Sequence, residues 1–125
     1  MVLITIALLT KNSEETVGYA LNSILGQRAL KDLEFELIVV DGYSRDKTLE
    51  IVKRWIEKLK ERFQEALVRA EILQEHINTI GFARQLALKV ACGDWILWLD
   101  SDNVMSLNYI ARFIEKTNKE EHTVV

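Results

Sequence analysis

Three short stretches of almost unbroken apolar residues set the terms for this chain: VLITIALL at 2–9, FELIVV at 35–40 and DWILWLD at 94–100. None approaches the roughly 18 apolar residues of a membrane span. They are also too uniformly apolar for strands with one wet face, which alternate apolar with polar. Runs of this kind are strands buried on both sides. The segments between them carry a helical period. Val17, Ala20, Leu21, Ile24 and Leu25 recur at helical spacing, with Gly26 as a stop. Leu49, Ile51, Val52, Trp55, Ile56, Leu59 and Phe63 form the apolar face of a second helix that SRDKT starts. TIGFARQLALKVA at 79–91 and SLNYIARFIEKTNKE at 106–120 predict two more. ALVRAEIL at 66–73 reads as a strand over 67–73 or as a helix tail, and the strand is favoured; HTVV at 122–125 reads as the start of another strand. Strands and helices therefore alternate, which predicts an α/β, Rossmann-like, mostly parallel sheet flanked by helices, as a single domain over 1–125.

Composition narrows the function classes. Apolar residues at 49% and charged residues at 28% give a chain that buries a core and is not disordered. A net charge of -3 argues against a nonspecific nucleic-acid binder, so an anionic ligand needs a local cation. The single cysteine, Cys92, excludes an internal disulfide framework and a cysteine-rich zinc site. Its apolar surroundings, LALKVACGDW, predict an inert core residue. The N-terminal MVLITIALLT lacks a positive region and a small-residue cleavage site, so it is expected to be a strand and not a signal. No membrane span is expected, and the composition suits a cytoplasmic protein.

In a doubly covered parallel sheet, ligands bind at the carboxyl ends of the strands. The conspicuous polar residues fall there: TKN at 10–12, DGYS at 41–44 and DSDN at 100–103. Asp100 and Asp102, spaced i and i+2 on a strand, would point the same way. Like charges so close call for a counter-charge, and a hard divalent cation is the usual one. The plainer reading is a pair of solvated strand-end residues or a cap for the helix from 106. Asp41 fits an ordinary Asp-Gly turn. Asn12 fits an N-cap of the first helix, and Arg84 an exposed helix arginine. Asp46 reads as a helix-start residue that organises its loop, and Asp94 as the end of a turn. His76 and His122 each lack a second histidine at ligand spacing and are expected to be structural or solvated. Trp95 and Trp98, three apart on a strand, face opposite sides.

Taken in order, ITIALLTKNSEETVGYALNSILGQ, FELIVVDGYSRDKTLEIV and GFARQLALKVACGDWILWLDSDN resemble the family-2 glycosyltransferases with the GT-A fold, over nearly the whole chain. The resemblance implies an enzyme that moves a sugar from a nucleoside-diphosphate sugar to an acceptor hydroxyl, with Mg²⁺ or Mn²⁺ as cofactor and the donor bound in this part. It assigns metal binding to Asp102, and to Asp100 a place near the ribose or on the metal through water. It gives Asp41 a contact to the nucleobase or ribose, and puts Thr10 and Asn12 on the nucleoside pocket. Arg84 would pair with the diphosphate or clamp an acid of the nucleotide pocket; Gly81 and Ala83 match around it and Gln85 replaces an asparagine. Three further positions depart from the pattern. Lys11 stands where a base-stacking aromatic is usual, Gly42 where a second acid is, and Tyr43 where a glycine is.

The family's general base and acceptor half lie beyond the acid triplet, so the catalytic residue is unknown and a truncated donor half is expected, with the cytoplasmic face of a membrane as one location. Such a half leaves a sheet edge bare, which predicts a homodimer by strand exchange. The competing reading is a noncatalytic nucleotide-binding or interaction module on the same fold. A sugar nucleotidyltransferase would need a glycine-rich loop where TKNSEE stands, and a haloacid-dehalogenase phosphatase would carry its Asp-x-Asp after the first strand and not the fourth.

Overall fold

Four parallel strands in the order β3-β2-β1-β4 form the sheet of the computed structural model, which describes residues 2–120 apart from the side chains at 31, 32 and 118–120. The elements run β1 (Leu3–Thr10), α1 (Val17–Leu25), β2 (Glu34–Asp41), α2 (Thr48–Phe63), β3 (Leu67–Gln74), α3 (Ile80–Val90), β4 (Trp95–Asp100) and α4 (Tyr109–Glu120), with short 3-10 turns at Ala29–Asp32 and Gln64–Ala66. The ambiguous segment at 67–73 is thus a strand, because pairing along β2 competes successfully with its helical tendency. HTVV and His122 lie outside the described residues.

Strand parity divides the core. Ile4, Ile6 and Leu8 of β1, Phe35, Leu37 and Val39 of β2, and Leu97 and Leu99 of β4 face α1, α2 and α4. Ala7, Ile38 and Val40 face the other way and pack under α3 through Ala83 and Ala87. Both faces of the central strands are therefore dry, which is why their sequences do not alternate. α1 and α2 lie on one face and α3 on the other. Strand order therefore reverses between β1 and β4, leaving a crevice at their carboxyl ends. The register makes those ends flush: Thr10 stands opposite Asp41, Leu9 opposite Asp100, and Asp41 opposite Gln74.

At the opposite end of the sheet a buried carboxylate ties the α3–β4 connection down. Glu36 is 1% exposed. Its Oε2 accepts from Thr5 Oγ1 (2.7 Å) and from the Cys92 backbone N–H (2.6 Å), and its Oε1 lies 3.4 Å from Arg69 Nε. Arg69 also donates to the Val90 carbonyl at 2.6 Å. Cys92 itself corrects the sequence expectation. It is exposed, because α3 stops at Val90 and the chain swings out of the core before β4 begins. Asp94, at this same end, accepts from the Leu3 N–H at 2.9 Å, far from the strand ends that carry the polar motifs.

Candidate functional site

The crevice at the switch point opens into a cleft of about 370 Å³. Thr10 and Asn12 line it from the end of β1, Asp100, Ser101 and Asp102 from the end of β4, and Glu75 and Asn78 from the β3–α3 loop. Thr79 and Ile80 also line it, so the N-terminus of α3 opens onto it. That end of a helix carries a partial positive charge suited to an anion.

Asp100 closes β4, and Asp102 lies in the turn after it, where the Asn103 N–H donates back to the Asp100 carbonyl. The parity argument for these two acids therefore lapses one residue past the strand, yet both line the same cleft and both are exposed. Ser101, between them, is held by a 2.7 Å hydroxyl contact to Ser13. Ser13 is anchored in turn, its N–H donating to Thr48 Oγ1 (2.7 Å) and its hydroxyl to the Lys11 carbonyl (3.0 Å). The acid turn is thus braced against the β1–α1 loop.

Among the described residues no three His, Cys, Asp or Glu side chains gather as a metal cage. Two exposed carboxylates fit a hard cation that takes its remaining oxygens from a phosphate ligand and water, as Mg²⁺ commonly does.

Thr10 and Asp41 form a buried pair beneath the cleft. Asp41 Oδ1 accepts from Thr10 Oγ1 (2.7 Å) and Ser44 Oγ (2.6 Å), and Oδ2 from the Ser44 N–H (2.8 Å). A carboxylate has about four acceptor sites, so one stays uncommitted by these bonds, on a residue with no exposed surface. Asn12 does not cap α1. Its N–H donates to Ser44 Oγ (2.8 Å) and its Oδ1 accepts from the Arg45 N–H (2.8 Å), so it joins the β1–α1 loop to the β2–α2 loop. The residue that flanks α1 is Thr16, whose side chain makes no cap bond. Asp46 does organise its loop, accepting from the Thr48 N–H (2.9 Å) and the Glu14 N–H (3.2 Å). Burial pushes its carboxyl up, but the bonds from the Thr48 hydroxyl, the Thr48 and Glu14 N–H groups and its own N–H outweigh this and leave it below the ordinary carboxylate value.

Arg84 stands apart. It does not line the cleft; its guanidinium lies over the Trp98 ring, 5.4 Å from the centroid, on the α3 face of the sheet.

Glu75 and Asn78 are the cleft residues that sequence reasoning passed over. Glu75 is buried and takes the Asn78 N–H on both oxygens (2.8 and 3.2 Å). Asn78 sits at φ 60°. The one available signal was an asparagine directly before a helix start, a residue type that tolerates this backbone. Gly42 sits close to its neighbours: a Cβ there would stand 2.6 Å from Asn78 Oδ1 and 3.3 Å from Lys11 Cδ, so both side chains would have to shift.

Comparison with known proteins bears on this cleft. A poly(ribitol-phosphate) beta-N-acetylglucosaminyltransferase, TarS of Staphylococcus aureus, is 35% identical over 114 residues, 89% of this chain and 18% of its own length. A poly(ribitol-phosphate) beta-glucosyltransferase of Bacillus spizizenii is 28% identical over 125 residues, 97% of this chain and 18% of its own. The chain thus spans about a fifth of these curated relatives. The crystal structure of S. aureus TarS 1–349 in complex with UDP-GlcNAc superposes with a TM-score of 0.77 at 29% identity, covering 94% of this chain and 32% of that one. A family model described as glycosyl transferase family 2 matches residues 5–125. With a GT-A sheet and that match along almost its full length, the chain belongs to glycosyl transferase family 2.

Proposed function

We propose that this chain is the donor-binding part of a glycosyltransferase that takes a sugar from a uridine-diphosphate sugar and delivers it to an acceptor hydroxyl. The observation that carries the reading is the convergence of Asp100, Asp102, Thr10 and Asn12 on one cleft at the reversal of strand order. The uridine assignment draws on the UDP-GlcNAc complex of the S. aureus relative.

In this reading the nucleoside enters between the ends of β1 and β2, above the Thr10–Asp41 pair, with the diphosphate running toward the acid turn. Asp102, with Asp100 beside it, would hold Mg²⁺ or Mn²⁺, which when bound supplies a Lewis acid for the charge that grows on the departing diphosphate. The chain's own contribution is positioning. Ser13 and Ser101 keep the acid turn against the first loop, and Glu75 fixes the turn that presents Asn78. Arg84, stacked on Trp98, stands outside the cleft and approaches the diphosphate only by leaving that ring.

One observation favours a second reading for this chain by itself, a module that binds donor without transferring its sugar. Among the described residues, the acid lining the cleft besides Asp100 and Asp102 is Glu75, which is buried and already holds the Asn78 N–H.

Calorimetric titration of UDP with and without Mn²⁺ tests the donor site. Binding that needs the metal and falls at least tenfold in Asp102→Ala is expected. Equal binding by wild type and variant would remove Asp102 from the metal role, and no binding in any condition would refute a donor site here. Sugar release from UDP-GlcNAc, assayed on the same sample, separates transferase from module.

A further inference from the structure

Among the described residues four non-glycine residues have positive φ, and three of them surround a single recess: Asn12 (47°), Tyr43 (54°) and Asn78 (60°). The recess, about 420 Å³, also includes His76 and is the lateral extension of the main cleft, sharing Lys11, Asn12, Gly42 and Asn78 with it. Asparagine tolerates the left-handed region, but for a tyrosine it is strained, at a cost on the order of 1 kcal/mol or more. No core packing requires that strain, since Tyr43 is 44% exposed.

The strained backbone does aim a ring. The Tyr43 ring lies flat on the His76 imidazole, with centroids 4.1 Å apart and planes 12° from parallel. The stack joins the β2–α2 and β3–α3 loops within the lining of the recess. Both residues are exposed and both line the recess. Lys11, at the end of β1, has an aliphatic stem and a charge but no π-face to offer a base.

We propose that the stacked Tyr43–His76 pair is the nucleobase platform of this chain, a proposal that rests on the donor-site reading above. A base seated in the recess extends the two-ring stack to three, and the stem of Lys11 closes over its edge. Gly42 keeps the floor low enough, because any side chain there would meet both Lys11 and Asn78. The ligand class is a nucleoside diphosphate, with the planar base recognised by ring contact and the Asn78 amide at its rim.

The test is titration of UDP and of inorganic pyrophosphate, each with Mn²⁺, into wild type, Tyr43→Ala, His76→Ala and His76→Phe, with folding checked by circular dichroism. Base stacking on an aromatic implies that the two alanine variants bind UDP about tenfold more weakly or worse. Pyrophosphate, which has no base, should bind all four proteins alike, and His76→Phe should keep wild-type affinity for UDP. Unchanged UDP binding in both alanine variants would overturn the platform and leave the donor site standing. So would a parallel loss of UDP and pyrophosphate, which marks the pair as a loop brace only. His76→Phe as weak as His76→Ala would overturn stacking as the mode of contact. Absence of both UDP and pyrophosphate binding in wild type would overturn the platform together with the donor site beneath it.

Discussion

Gln64 closes α2 at φ 49° and ψ −119°, a backbone conformation that glycine enters freely and a side-chain residue does not. Its side chain is exposed, and its N–H donates to the Lys60 carbonyl, a bond that survives any side-chain change. Gln64→Gly should therefore raise stability. Strain relief of roughly 1–3 kcal/mol outweighs the unfolded-state entropy that glycine adds, leaving a gain of about 1 kcal/mol. A urea titration reads this as a higher midpoint at unchanged slope, and a lower midpoint would show that the residue is unstrained. Asp46 gives a residue-scale prediction in pH. Its folded-state carboxyl lies below the ordinary value, so its stabilising effect is fully present above the unfolded pKa and is lost as pH falls through the folded one. Asp46→Asn should be less stable than wild type at neutral pH, with the gap closing under acid below the usual carboxylate range. A gap that widens in acid would reverse the sign of the argument. Neither residue belongs to the cleft, which separates these effects from ligand binding.

At the scale of elements, the connection from α3 to β4 depends on two atoms of Thr5. Its Oγ1 accepts from the Gly93 N–H at 3.0 Å, and a Cβ on Gly93 would stand 2.7 Å from the Thr5 N and closer still to Oγ1. Both atoms lie in the middle of the sheet, so they cannot retreat. Gly93→Ala should cost about 2–4 kcal/mol and lower the melting temperature, whereas Glu36→Gln, which keeps an acceptor for Thr5 and Cys92 but loses the charge facing Arg69, should cost less, about 1–3 kcal/mol. Thermal unfolding of both variants checks the order, and an alanine at 93 milder than the glutamine would show that the turn yields. This network also shows where sequence reading stops. Three strands were legible because burial on both faces leaves continuous apolar runs, while β3 read as strand or helix tail, and all four helices were predicted from the segments between and after them. Cys92 was misread because an apolar run passed unbroken through a helix end, and Asn12 because a capping residue and a loop brace are the same residue type. Asp100, Asp102, Thr10 and Asn12 could be placed at strand ends from the alternation alone. Glu75, Asn78 and the Tyr43–His76 stack could not, since they depend on left-handed backbone and on two loops meeting, neither of which leaves a periodic trace.

Among the described residues, neither edge of the sheet, β3 or β4, carries a further strand. β4 pairs with β1 along one edge, and no strand lies beyond it among the described residues. An unpaired row of backbone donors and acceptors next to apolar surface is a template for another strand. Here the surface around it includes Trp95 at 46% exposure, edge-to-face with Phe113 of α4 at 5.5 Å, and Val104 and Leu107 in the connection to α4. We propose that a sample of this chain pairs through β4 as a homodimer. Light scattering should then give a mass that rises with concentration toward twice that of the chain. Trp95→Lys places a solvated charge at the start of the edge strand, the device by which natural sheets block such pairing, and should return the monomer mass. Its loss of the Phe113 contact costs about 0.5–1.5 kcal/mol, small enough to leave the fold intact by circular dichroism. A wild-type sample that scatters as a monomer at the highest attainable concentration would refute edge pairing. A dimer that survives in Trp95→Lys would move the interface away from the start of β4. Because the cleft lies at the carboxyl end of the same strand, the measurement gains from being repeated with UDP and Mn²⁺: pairing along β4 leaves Asp100 and Asp102 open, so the dimer mass should be indifferent to ligand.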